Sequence, residues 1–365
     1  MDTPHLSLSR LQRWRPWQVG LVGSAVVGLP LLVAAVVLYG RHYHPVLDLA
    51  MTEFRVRDVG SMHTPLIGLP GRIGKFPEQG SHPGPLSFYL IAPVYRLFGA
   101  SAWAMLVGAI AVNIAALGTS LGLAFRRGGW WLTGAVAVWL LVSMRGYGVV
   151  VLTQPWNPYL PLLAWTVVVL AAWMVLEGDH FMLVPLVAAG SLCAQTHVPY
   201  LLLCVGLFAV CACVTLVRWR RGDRTVRRSL AWSVGLGTLL WLPPLVDQAV
   251  HTPGNIRMLQ QHFMNPSETP IGVRAGLSVL LRHLDVTHHK SMRFAASTQS
   301  VGTTSVASHV FVKQLYIALR LLLQLTRLID CWARETLPSG ELITKGTYDA
   351  LQIKYSLEMG NLRRN

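Results

Sequence analysis

Between Val19 and Leu38 the chain carries no charged residue, and further uncharged runs lie at 85–95, 101–125, 128–144, 146–176, 181–217 and 229–246. In hydrocarbon every backbone amide and carbonyl needs a partner within its own segment, so runs of this kind are helical. Two of them exceed one crossing, and each contains a break: Gln154–Pro155–Trp156–Asn157–Pro158 and Gln195–Thr196–His197–Val198–Pro199. Proline steers the residue before it away from helix, so a turn is expected at each. The resulting fold class is all-α: a polytopic integral membrane helix bundle of about nine spans, with an extracytoplasmic loop carrying amphipathic surface helices. The short stretches 85–95 and 146–155 also suit half-helices.

Composition agrees. Charged residues make up 13% of the 365 positions and hydrophobic residues 53%, where a soluble domain carries about 25% charged residues. The net charge of +15 is spread over short clusters between apolar runs. There it sets membrane orientation and meets anionic headgroups; it forms no nucleic-acid footprint. Cys193, Cys204, Cys211 and Cys213 sit within apolar runs, as small hydrophobes without zinc-ligand spacing.

Arg10, Arg13 and Arg15 precede Val19–Leu38, whose length suits an uncleaved first helix better than a signal peptide. The segment 218–228 holds six arginines and one acid, which marks it as cytoplasmic. Counting back gives a multi-pass plasma-membrane protein with a cytoplasmic N-terminus. The segment 40–85, the Trp156–Asn157 turn, the Thr196–His197 turn and the chain after Asp247 then share the extracytoplasmic face. On this count Arg126–Arg127 falls outside and Glu177–Asp179 inside. Expected domains are a transmembrane unit over 1–247, an outer loop over 248–305, and an amphipathic stretch with a polar tail over 306–365.

The polar segment from Asp48 to Leu86 carries the candidate chemistry. Asp48 and Asp58 are candidate general bases, although an acid at either place also suits a cap or a turn. Glu53 and Arg57 are spaced i,i+4, as a surface pair or as ligand contacts. Arg55, Arg57 and Arg72 suit a phosphate or lipid headgroups equally. His63 joins this outer set. His82, held in Ser81–His82–Pro83–Gly84–Pro85, stands where it can reach a phosphate. Asn157, Gln195 and His197 lie at the two breaks, where polar groups line a cavity or a bundle interior. No phosphate-binding loop, dinucleotide fingerprint or zinc-helix motif occurs. His288–His289 lack further metal ligands nearby in sequence.

Asp48 followed by Ala50-Met51-Thr52-Glu53-Phe54, then His82-Pro83-Gly84-Pro85-Leu86-Ser87-Phe88-Tyr89-Leu90, then Tyr95-Arg96-Leu97-Phe98-Gly99, occur in the order seen in GT-C type membrane glycosyltransferases. Over about 17–260 the chain resembles the N-terminal part of the polyprenyl-phosphate-sugar-dependent mannosyl- and aminoarabinosyltransferase group, an actinobacterial-type branch in particular. The family's acid pair reads Asp-Glu where this chain has Asp48-Leu49, and its lysine before the proline-rich step is replaced by His82. Asn157 corresponds to an outer acid or amide of the family.

The resemblance implies inverting transfer of a sugar from a polyprenyl-phosphate donor to a glycan, lipid or protein acceptor of the cell envelope. Asp48 would be the base and basic groups would hold the departing phosphate. It implies no fixed cofactor, since relatives differ in their use of a divalent cation. Family members continue with further spans, so the departure beyond 247 is read as a divergent or truncated end. Rival readings are a lipid-linked sugar transporter or flippase, for which matched broken helices are expected, and an inactive truncated envelope protein.

Overall fold

A computed structural model describes residues 14–40, 43–74, 79–220, 222–265 and 271–284. The expected outer loop over 248–305 is therefore described only in part. His288–His289 and the segment 306–365 lie outside the described residues.

The described chain is mostly helical. Among the described residues three helices are long and apolar enough to cross a membrane: α5 (Ala102–Tyr147), α9 (Pro199–Arg220) and the stretch Val226–Val250 of α10 (Arg224–Val250). A fourth arises if α1 (Pro16–Val27) and α2 (Leu29–Tyr39), bent by 50°, count as one. Gly28 occupies the bend and Pro30 enters the first turn of α2, a position where its missing N–H leaves no helical bond unmade. The shorter apolar helices are α4 (Leu86–Leu97), α7 (Pro161–Leu176) and α8 (Leu183–Thr196).

The helix α5 is two arms. Gly128 and Gly129 leave helical geometry, with Gly129 at φ +60° and ψ −151°. The chain folds back at this glycine pair, since Asn113 Nδ2 on the first arm donates to the Leu152 carbonyl, just beyond the second, at 2.7 Å.

The first arm packs antiparallel on α1 through small residues. A Cβ on Gly20 would lie 2.6 Å from the Gly118 carbonyl oxygen, one on Gly118 would lie 3.1 Å from Ser24 Cβ, and one on Gly122 would meet the Pro16 carbonyl at 3.0 Å. Gly20 and Ser24 on one helix and Gly118 and Gly122 on the other are each spaced i,i+4. That small-residue pattern lets backbones approach without a side chain between them. The same pairing continues upward, where Trp103 Nε1 donates to the Ala35 carbonyl at 2.8 Å and its ring meets Tyr39 edge-on at 4.9 Å.

Polar contacts divide the described chain into two ends. At one end Arg126 Nε reaches Asp179 Oδ2 at 2.7 Å and Arg127 reaches Glu177 Oε2 at 3.0 Å. The short turn His180–Met182, between α7 and α8, contacts α9 and α10 there: His180 Nδ1 lies 3.1 Å from Thr215 Oγ1, and Ser229 Oγ donates to the His180 carbonyl. The sequence count placed Arg126–Arg127 and Glu177–Asp179 on opposite faces; here they are paired. The reason is the antiparallel packing of the first arm of α5 on α1, which carries Arg126 to the end where α1 begins.

At the other end lie α3 (Asp48–Asp58), both ends of α4 and the small hairpin of β1 (Pro70–Ile73) and β2 (Gly80–Ser81), paired Pro70↔Ser81 and Ile73↔Gly80. The core there is built from Val56, Leu69, Phe88, Ile91, Tyr95, Met105 and Leu160, so α3, α4, α5 and the start of α7 share one apolar interior.

Candidate functional site

Helix α3 lies on this core by one face. Thr52 and Val56, spaced i,i+4, are buried, whereas Met51 and Phe54 are exposed. Glu53 and Arg57 point toward α4: Tyr95 Oη donates to Glu53 Oε1 at 2.9 Å and Arg57 reaches the same oxygen at 3.3 Å. Arg57 is thus held in a surface network, and Tyr95 is its anchor on α4.

Asp48 opens α3. The residue before it, Leu47, has φ +52°, a conformation that costs a non-glycine residue about 1–3 kcal/mol and gathers at functional positions. The Asp48 carboxylate accepts a hydrogen bond from Trp156 Nε1 at 2.9 Å. Trp156 stands in the break between the short helix α6 (Val149–Thr153) and α7, against Tyr159 edge-on at 4.7 Å. Asn157, beside it, is buried.

His82 is held from four directions. Its amide donates to the Leu69 carbonyl at 2.8 Å, and its carbonyl accepts from the Gly68 amide at 3.0 Å. Asn255, at the start of α11 (Asn255–Met264), accepts from the Ser81 amide at 2.8 Å and donates to the Ser81 and His82 carbonyls at 3.1 and 3.3 Å. The imidazole Nδ1 accepts from the Val198 amide at 3.2 Å, which assigns the ring proton of the neutral form to Nε2.

The Asn255 amide in turn donates to Asp247 Oδ2 at 2.9 Å, and His251 Nδ1 lies 2.9 Å from Asp247 Oδ1. No motif marks Asp247 and Asn255 in the sequence. The one signal available was an acid at the end of an apolar run, followed eight residues later by an amide.

The His82 and His197 rings lie 5.3 Å apart. Burial lowers His82 to about 4, against the opposing pull of Asp48. Burial, and then the neighbouring His82, lowers His197 to about 3. Both rings are therefore neutral near pH 7, and His82 offers a neutral N–H donor.

The structure thus gathers Asp48, His82, His197 and the Trp156–Asn157 turn at one end of the bundle. Gln195 is there too, but its amide is spent on backbone: Oε1 accepts from the Leu86 amide at 3.3 Å and Nε2 donates to the Leu240 carbonyl at 2.8 Å. A Cβ on Gly84 would lie 2.2 Å from Gln195 Oε1, so Gln195 clamps the proline-rich step against α10. Asp58 bonds through its backbone carbonyl, which accepts from the Ser61 amide and hydroxyl at 2.9 and 2.7 Å and closes the turn after α3. Arg55 is half-buried, and Arg72 and His63 are exposed in the same outer segment. Among the described residues no three His, Cys, Asp or Glu side chains are grouped closely enough to hold a metal ion.

Comparison of the chain with protein-family models, with curated proteins and with solved structures finds no match.

Proposed function

We propose that the protein is a multi-pass membrane glycosyltransferase of GT-C type, which moves a sugar from a polyprenyl-phosphate donor to a cell-envelope acceptor at the extracytoplasmic face. The single observation that carries this reading is the Trp156–Asp48 hydrogen bond. It fixes a carboxylate at the start of a surface helix, at the same end of the bundle as His82 and His197 and opposite the paired arginines.

The end-to-end contacts support a topology. With the N-terminus cytoplasmic, α1–α2 together, each arm of α5, and then α7, α8, α9 and α10 each run from one end to the other, which makes seven crossings. On this reading helix α4 does not cross. Its start is tied to Gln195, and its last turn to α3 through Tyr95 and through Arg96, which donates to the Val59 carbonyl. This replaces the span of 85–95 by a helix tucked into the outer half of the bundle. Arg126, Arg127, Arg218, Arg220, Arg227 and Arg228 then share the cytoplasmic end, as the rule for positive residues requires.

In the proposed reaction the Asp48 carboxylate takes the proton of an acceptor hydroxyl. The hydroxyl oxygen attacks the anomeric carbon, the bond from that carbon to the phosphate oxygen breaks, and the electron pair leaves with the lipid phosphate. One displacement inverts the anomeric centre. His82 donates Nε2–H toward the leaving oxygen, and Arg55, Arg57 and Arg72 supply positive charge from the outer segment, in the manner of preorganised electrostatic stabilisation.

The test is reconstitution of the full chain in liposomes with a panel of polyprenyl-phosphate sugars. Lipid-phosphate release coupled to a glycosylated acceptor supports the reading. Translocation of the lipid-linked sugar without product would replace it by the transporter.

A further inference from the structure

The corner between α8 and α9 holds polar atoms that the fold leaves unused. Thr196 Oγ1, both ring nitrogens of His197, and Tyr200 Oη are buried and have no hydrogen-bond partner among the described residues. Leaving such a group unpaired costs about 1–3 kcal/mol, and each instance calls for a cause.

Four other helical threonines resolve the problem locally, while the Thr166 hydroxyl in α7 is unpartnered too among the described residues. Thr52, Thr119, Thr133 and Thr215 each donate to the carbonyl four residues back, at 2.8, 2.8, 2.8 and 2.7 Å. Thr196, at the last position of α8, makes no such bond. The corner also lies within the candidate site: the His197 ring faces His82 at 5.3 Å, and the Tyr200 ring meets Trp165 edge-on at 5.5 Å.

The chemistry of these atoms selects a ligand class. A hydroxyl both donates and accepts, and a neutral imidazole has one donor and one acceptor nitrogen. A phosphate oxygen at neutral pH chiefly accepts and favours cationic partners. A neutral group bearing several hydroxyls, which donate as well as accept, matches the corner, and the Tyr200 ring is backed there by Trp165.

We infer that the α8–α9 corner, through Thr196, His197 and Tyr200, is the subsite for the hydroxyl groups of a sugar. This rests on the glycosyltransferase reading for its donor, and assigns the sugar and the phosphate of that donor to different residues. Access to the buried atoms requires rotation of side chains at the corner, a common accompaniment of binding.

The experiment measures binding and does not depend on turnover. The full chain in detergent is titrated with polyprenyl phosphate and with its mannosyl, glucosyl, arabinosyl and aminoarabinosyl derivatives, for wild type, Thr196→Val and Tyr200→Phe. Wild type is expected to bind at least one sugar-bearing lipid more tightly than the bare phosphate. Each variant is expected to lose roughly twofold to tenfold of that preference, the worth of one neutral hydrogen bond, with affinity for the bare lipid kept. Melting temperatures of both variants are expected to equal or exceed that of wild type, because the hydroxyl removed had no partner in the free protein.

Absence of a sugar preference in wild type, an equal loss for the bare lipid, an intact preference in both variants, or a lower melting temperature would each overturn the assignment. If transfer fails while the preference and its loss are observed, the glycosyltransferase reading falls and the sugar subsite stands.

Discussion

Trp156 donates its indole N–H to the Asp48 carboxylate at 2.9 Å, across a sequence separation of 108 residues. The bond joins the first outer segment to the turn before α7, so the orientation of the candidate base depends on a residue far along the chain. A hydrogen bond to a charged group contributes about 1.5–3 kcal/mol. Trp156→Phe keeps the aromatic bulk and removes the donor. Expected is a roughly tenfold to hundredfold fall in kcat for sugar transfer, with a melting temperature lower by several degrees.

The pairing of Arg126 with Asp179 and of Arg127 with Glu177 makes a prediction about sidedness. Single cysteines introduced at Arg127 and at Glu177, in a background without the native cysteines, are expected to react with an impermeant thiol reagent from the same, cytoplasmic, side. Cysteines at Arg72 and at Phe98, which flank α4, are both expected to react from the opposite side. Labelling of positions 72 and 98 from different sides would mean that α4 crosses the bilayer.

His82 and His197 give the stability a pH dependence of definite sign. Their folded values, about 4 and about 3, lie below the ordinary histidine value of about 6.5. Between these limits the unfolded chain holds more protons than the folded one, so stability rises with pH. The contribution is fully present above pH ~6.5 and is lost as pH falls toward 4. Melting temperatures between pH 7 and 4.5 are expected to fall for wild type, and less steeply for His82→Gln and His197→Gln. Parallel curves for all three proteins would show that these rings do not govern the effect.

Asn255 ties the start of α11 to Ser81 and His82 through its side chain and to Asp247 through its amide. Asn255→Leu leaves the Ser81 amide and two carbonyls without their partner. Expected is a loss of about 1–3 kcal/mol of stability, read by denaturation in detergent. Gly84→Ala is expected to cost about as much through overpacking, because its Cβ would lie 2.2 Å from Gln195 Oε1.

The helices were legible in the sequence because charge-free runs and proline breaks are local signals. The Gln154–Asn157 and Gln195–His197 turns lie at the breaks that Pro155, Pro158 and Pro199 mark. The direction of each run was less legible. An alternating count treats every apolar stretch as a crossing, and the contacts that position α4 and α6 are distant in sequence: Tyr95 on Glu53, and Asn113 Nδ2 on the Leu152 carbonyl at 2.7 Å.

At the candidate site, Asp48, Asp58 and His82 stand out as polar residues in a segment between apolar runs, and only the family resemblance favours Asp48 over Asp58. The roles of Gln195 and Asn255 do not stand out, because each depends on a backbone group distant in sequence. Gln195 at a break has the same local signature whether its amide faces a ligand or clamps Leu86 and Leu240.

The central claim is most directly tested by comparing Asp48→Asn with Asp58→Asn in a single-turnover transfer assay, with donor prebound to the full chain in liposomes. Asp48 is held toward the site by Trp156, whereas Asp58 closes a turn through its backbone carbonyl. Asp48→Asn is expected to lower the rate of sugar transfer by at least about a hundredfold, the contribution of a positioned general base, while Asp58→Asn stays within about threefold of wild type. A wild-type rate in Asp48→Asn would contradict the assignment of the catalytic base and, with it, the proposed reaction.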